Sequence, residues 1–204
     1  MASDPLQSGA VRAFPPSGFV AGLFSRVDAA RGVWKAPAGS EANLIGAADL
    51  AVHLSDTQNE SLNGQGINCL RQFPGRGVLA WGARTLAAGI TGPESEWKYI
   101  PVRRTALFLE LSISRGTKWA VFEPNAEPLW GRLRTSVSSF MHGLFKLGAF
   151  AGNTPDKAFF VKCDRETTTQ DDVDRGVVNI IVGFAPLKPA EFIVVTIAQL
   201  ARRP

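Results

Sequence analysis

Cys163 beside Asp164, with His142 elsewhere in the chain, is the one grouping that could be drawn as a thiol nucleophile and its base. It sits at the end of an apolar Phe159-Phe160-Val161-Lys162 run. A thiol there reads more simply as a packed core side chain. The Asp171, Asp172 and Asp174 cluster offers carboxylates to a calcium ion, yet the glycine and terminal glutamate of an EF-hand loop are missing. The same acids suit the first turn of a helix, where they complement its dipole. Pro74-Gly75-Arg76-Gly77 has the glycines of a phosphate cradle but no following Gly-Lys-Ser/Thr, so a hairpin corner is the reading it supports. With two cysteines (Cys69 and Cys163) and two histidines (His53 and His142), no zinc-ligand spacing exists. No catalytic, cofactor-binding or metal residue is assigned, and no enzymatic role is expected.

Composition points the same way. Of 204 residues, 45% are hydrophobic and 20% charged, which suits one sizeable folded core. No apolar run approaches the roughly 20 residues that span a bilayer, so direct membrane insertion is not expected. Met1-Ala2-Ser3-Asp4-Pro5 lacks a basic segment followed by an apolar one, which sets the cytoplasm, or a particle assembled there, as the expected location. Two widely separated cysteines then read as free thiols rather than a disulfide. The net charge of +4 is spread thinly: residues 1–60 carry 4 basic and 6 acidic groups, residues 61–125 carry 8 and 4, and residues 126–204 carry 10 and 8. Nucleic-acid binders present a dense basic stripe, so no nucleic-acid partner is expected; a mild surplus fits an acidic protein surface.

The elements that would carry these residues follow from periodicity and punctuation. Residues 1–14 read as a flexible lead-in. Pro15-Pro16-Ser17 opens a helix with Phe19, Val20, Leu23, Phe24 and Val27 at three- and four-residue steps, stopped at Gly32. Residues 33–43 form a loop, and residues 44–54 a weak strand broken near Asp49. Ser55-Asp56-Thr57-Gln58 is a capping box for a short helix ended by Asn63-Gly64. Residues 67–73 and 78–84 are β-like runs around the Pro74 corner, and residues 86–96 a surface loop. Residues 102–115 are helical with apolar side chains on two sides, Leu107, Phe108 and Leu111 against Leu109 and Ile113, which predicts cover on both. Residues 119–122 read as a short strand. A long amphipathic helix within residues 127–150 turns Leu129, Trp130, Leu133, Val137, Phe140, Met141 and Leu144 inward and Arg132, Ser136, Ser139 and Lys146 outward. Strands at 158–163, 177–185 and 192–198 surround a short helix capped by Thr169 and closed by Gly176. The sum is an α+β, mixed two-layer fold: a central mixed sheet, two long helices packed on it, and a terminal strand able to add to another subunit's sheet. Arg103-Arg104, opening a helix where positive charge is unfavourable, need carboxylate partners inside the fold or on a neighbour.

Nine segments in one order carry a resemblance: Pro15-Pro16-Ser17-Gly18 with Val20-Ala21-Gly22; Arg31-Gly32-Val33-Trp34-Lys35-Ala36-Pro37-Ala38; Gly66-Ile67-Asn68; Phe73-Pro74-Gly75-Arg76-Gly77; Trp81-Gly82-Ala83-Arg84-Thr85; Val102-Arg103-Arg104; Phe122-Glu123-Pro124-Asn125 with Glu127-Pro128-Leu129-Trp130; Phe159-Phe160-Val161-Lys162-Cys163-Asp164; and Pro189-Ala190-Glu191-Phe192. From about Phe14 to Gln199 the chain resembles the C-terminal conserved region of contractile tail sheath proteins of myovirus-type phages, R-type tailocins and phage-tail-like injection systems. The resemblance implies a structural homo-oligomer: six-fold rings stacked helically around an inner tail tube, joined to baseplate and terminator proteins, within a virion or tail-like particle. Contraction then drives the tube through a target envelope. It also implies terminal arms that add strands to neighbouring subunits. On that basis residues 15–190 are the core domain and residues 191–204 the linking arm, with Phe192, Ile193, Val194, Val195, Thr196, Ile197 and Ala198 as its strand. Arg132, Arg134 and Lys146 are either a solvated face or contacts to an acidic tube. Family members usually carry a substantial portion before this region, whereas Met1 stands only 14 residues ahead of Pro15. An accessory sheath-like module, an initiator or cap without the N-terminal arm, is therefore the alternative role.

Overall fold

The computed structural model describes residues 1–3, 11–90 and 95–191. The described part of the lead-in is paired: β1 (Ala2–Ser3) runs antiparallel to β2 (Val11–Arg12), Ala2 bridges to Ala47, and the Met1 ammonium donates to the Asp49 carbonyl. α1 (Ser17–Arg31) ends at Gly32, whose φ of 85° is open to glycine and strained for other residues. Its inner side buries Leu23 and Val27 against Ala42, Leu44, Val78 and Ala80, each buried side chain contributing about 2 kcal/mol.

Residues 44–54 are not a strand. Gly46, at φ 84°, turns the chain, so only residues 42–44 run beside the sheet, with Leu44 N–H donating to the Val78 carbonyl at 2.8 Å. α2 (Asp56–Gly64) has the expected capping box: Ser55 Oγ accepts from Gln58 N–H and Gln58 Oε1 accepts from Ser55 N–H. The hairpin of β3 (Cys69–Phe73) and β4 (Gly77–Trp81) turns at Gly75 and Gly77, which both have positive φ. Where a loop was expected, α3 (Ala87–Ile90) forms a helical turn with Ala88 buried.

α4 (Ile100–Gly116) buries Val102, Thr105 and Leu109, while Leu107 is 45% and Leu111 51% exposed. Its expected cover on two sides is thus present on one. Residues 118–120 then tighten into a 3₁₀ turn instead of a strand, because Thr117 Oγ1 donates back to the Ile113 carbonyl and holds the chain in helical register. α5 (Glu127–Lys146) carries Pro128 in its first turn and buries Leu129, Trp130, Leu133, Val137, Met141 and Leu144 as its periodicity requires, while Phe140, also expected inward, is half-buried against the core.

The final described elements are α6 (Pro155–Ala158), β5 (Phe159–Lys162), α7 (Gln170–Asp174) and β6 (Ile181–Phe184). β5 and β6 pair antiparallel, with Phe159 opposite Phe184 and Lys162 opposite Ile181, and α5 lies on β5. Leu109, Val137, Met141, Leu144, Ala149, Phe150 and Ala158 form the core beneath them, and Leu129, Trp130, Leu133 and Cys163 an adjoining cluster. The fold is α+β. Among the described residues its strands make three separate two-stranded antiparallel ladders in place of the one mixed sheet expected. After Cys163, the Asp164 carboxylate accepts from Glu166 and Thr167 N–H, a turn that takes the chain out of β5.

Candidate functional site

Residues 192–198, the expected linking strand, lie outside the described residues. The structure does describe the place from which they leave. Glu191 is clasped by Arg84: Nε donates to one carboxylate oxygen at 2.8 Å and Nη2 to the other at 2.6 Å, a bidentate pair across 107 positions of sequence. Tyr99 Oη adds a hydrogen bond at 3.2 Å, and Arg84 Nη1 donates to the Asn63 carbonyl at 3.0 Å. The two charged side chains are only 10% and 16% exposed. Burial pushes the Glu191 carboxyl up, but the hydrogen bonds and charge of Arg84, with those of Tyr99 and Asn63, outweigh it and leave it below the ordinary glutamate range. The Arg84 guanidinium is held more firmly protonated by the same hydrogen bonds. Burial raises the Tyr99 phenol, and the Glu191 charge raises it further.

Arg84 and Glu191 both stood in motifs read from the sequence, yet no local pattern joins them. The one signal was a carboxylate in the apolar, proline-bracketed approach to the terminal run.

The three basic residues singled out on α5 do not share one environment. Arg132 is exposed, lies 4.6 Å from the Trp119 ring centroid and reaches Glu123 at 3.4 Å. With Trp119, Gly131, Thr135 and Ser136 it lines a shallow groove. Lys146 is exposed in the last turn, where its charge complements the helix dipole. Arg134 is half-buried and donates to the Cys163 carbonyl at 2.8 Å, so its guanidinium is engaged within the fold.

The other chemistry-bearing groups are occupied structurally. Cys163 is fully buried; desolvation raises its thiol, only partly opposed by Arg134. Asp172 caps α7, accepting from Thr169 N–H and from Asn179 and Arg175 side chains, and the Thr169 backbone bond leads in lowering its carboxyl. Arg104 finds Asp28, while Arg103 stacks over Trp97 at 4.9 Å. Among the described residues no group of three acid, cysteine or histidine side chains could hold a metal ion. No described helix is long and apolar enough to cross a membrane.

Several large apolar side chains of the described residues are exposed. Phe160 and Ile181 stand half-exposed on the β5–β6 ladder. Phe122, following the 3₁₀ turn, has φ 71° and a wholly exposed side chain. A bulky residue in the left-handed region is strained, and none of the described residues covers it.

Comparison with known proteins then supplies context. Residues 4–86 match the phage tail sheath protein central domain, and residues 93–199 the phage tail sheath C-terminal domain. Tail sheath proteins of Vibrio phage KVP40 and Enterobacteria phage T4 are 29% and 27% identical over 88% of this chain. The chain spans only 25% of either relative's length. A putative prophage major tail sheath protein of Pseudomonas aeruginosa is 27% identical over 90% of the chain and 45% of its own length. Among solved structures, the anti-feeding prophage baseplate contains a chain 39% identical with a TM-score of 0.83, covering 91% of this chain and 50% of that one. The contracted PVC sheath complex of an extracellular contractile injection system matches at 38% identity and the same TM-score, over 91% of this chain and 51% of that one.

Proposed function

The chain belongs to the phage tail sheath family, and from that premise we propose that it is a structural subunit of a contractile sheath. In this reading copies polymerise as stacked six-fold rings around an inner tube, between a baseplate and a terminator, and contraction drives the tube through a target envelope. The observation that carries it is the match of 91% of the chain, at TM-scores of 0.83 and 0.80, to subunits of contracted injection-system sheaths. The work is mechanical, with no reaction catalysed and no cofactor.

Residues 192–198 serve as the linking strand, adding to the sheet of a neighbouring copy. The β5–β6 ladder supports this reading: each of its strands has a partner on one side only among the described residues. A strand entering there gains main-chain hydrogen bonds and buries Phe160 or Ile181. Arg132 and Lys146 are the tube-facing charges in this reading, with Arg134, whose guanidinium also donates to the Cys163 carbonyl, beside them. The particle is a virion or tail-like assembly.

Electron microscopy of the full chain, alone and with tube protein, tests this reading. Striated cylinders that disappear on deletion of residues 192–204 support it, provided circular dichroism shows the deletion variant folded. Polymers that persist without residues 192–204 overturn the linking role. Discs bound only at tube ends support the accessory-module role in place of the sheath.

A further inference from the structure

Resting on the linking role of residues 192–204, we infer that Glu191 is the fixed root of that segment, so that tension on it enters the fold through Arg84 instead of peeling away residues 185–191. The stretch behaves as a strap fastened at both ends. At one end Ala185 N–H donates to the Ala158 carbonyl at 2.8 Å, the Ala185 carbonyl accepts from Ala151 N–H at 2.9 Å, and Pro186 bridges to Phe150. At the other end stands the Arg84–Glu191 clasp. Pro186 and Pro189 fix φ between the two, which limits slack.

The anchor for the clasp is itself immobilised. Arg84 N–H donates to Asn68 Oδ1 at 2.8 Å, and Asn68 Nδ2 donates to the Arg84 carbonyl at 2.7 Å. Ile100 N–H donates to the Ala83 carbonyl at 2.9 Å and Thr85 N–H to the Lys98 carbonyl at 2.8 Å, which ties the same stretch to the start of α4. Gly82 packs so closely on Asn68 that an added Cβ would lie 2.7 Å from its Oδ1. A planar, two-point guanidinium–carboxylate contact resists rotation as well as extension, which an apolar contact of equal area does not. The strap therefore joins the β5–β6 region to the β3–β4 region, and a pull on the terminal segment is divided between both.

Hydrogen-exchange mass spectrometry on the full chain tests the inference, comparing wild type, Glu191→Gln and Tyr99→Phe. Glu191→Gln keeps the side-chain shape and removes the charge. Exchange in residues 185–191 is expected to rise about tenfold, with a smaller rise for Tyr99→Phe and none in α5. Polymers of Glu191→Gln are then expected to fragment under shear that wild-type polymers survive. Unchanged exchange in residues 185–191 overturns the inference, as does equal resistance to shear. A rise spread over α5 as well marks general unfolding and also overturns it. Deletion of residues 192–204 reads the linking role separately: polymers that persist after it sink that role, whatever Glu191→Gln does.

Discussion

The guanidinium of Arg104 clasps the carboxylate of Asp28 through both nitrogens, one bond measuring 2.8 Å, while its flat face lies 4.8 Å from the centroid of the Phe24 ring. Asp28 and Phe24 belong to α1 and Arg104 to α4, so this contact joins the two sheath-domain matches across their boundary. The pair is about a quarter exposed, which screens but does not abolish it. Arg104→Ala is expected to cost about 2 kcal/mol in urea unfolding, because Asp28 is left half-buried without its partner. Arg104→Lys should recover less than half, having neither the two-point contact nor the stacking face.

The Arg84–Glu191 pair sets a pH dependence. The folded carboxyl lies below its unfolded value, so the stabilisation is fully present above the ordinary glutamate range and is lost as pH falls through the folded value. The stability difference between wild type and Glu191→Gln should be flat at neutral pH and begin to shrink as pH falls below the ordinary glutamate value of about 4.3. Urea unfolding of both proteins from pH 3 to 7 measures it, and a difference that persists unchanged at the acid end contradicts the assignment.

Phe122→Gly removes the left-handed strain and forfeits no packing, since the side chain is wholly exposed. The isolated chain is expected to gain up to about 1 kcal/mol, the relief of a bulky left-handed residue being offset in part by the greater freedom of glycine in the unfolded chain. A loss of stability would mean that the exposed ring is held by contacts in the folded chain.

Met141 has no exposed surface and lies in the core shared by α5, α4 and β5. Met141→Ala should cost about 2–4 kcal/mol, whereas Met141→Leu should cost under about 1.5 kcal/mol. Arg132→Glu with Lys146→Glu, both exposed, should leave the protein folded at a cost of about 1–2 kcal/mol, from the lost Trp119 and Glu123 contacts and the reversed charge at the end of α5, while abolishing association with tube protein. Undiminished co-sedimentation with the tube would remove these two residues from the proposed interface.

Features governed by a few adjacent residues were legible in the sequence. Ser55 and Gln58 announce α2, Gly32 ends α1, and the spacing from Leu129 to Leu144 draws the buried side of α5. What escaped depends on distant partners. Residues 42–44 pair with β4 for three positions, too few to mark a strand by alternation. Residues 119–122 have β-like composition, but the bond from Thr117 to Ile113 carries the helical turn into them. Leu107 and Leu111 look like core by type and are about half exposed, because among the described residues no element packs on that side of α4, which α4 alone cannot announce. The Arg84–Glu191 clasp joins residues 107 positions apart, beyond any local rule.

Both thiols, Cys69 and Cys163, are free and buried, and burial leads in making each a weaker acid than usual. Thiolates are the species that oxidants attack and that exchange with other disulfides. Stacked copies would thus present no reactive sulfur from these positions to one another, so exposure to an oxidising medium would not weld adjacent rings through them.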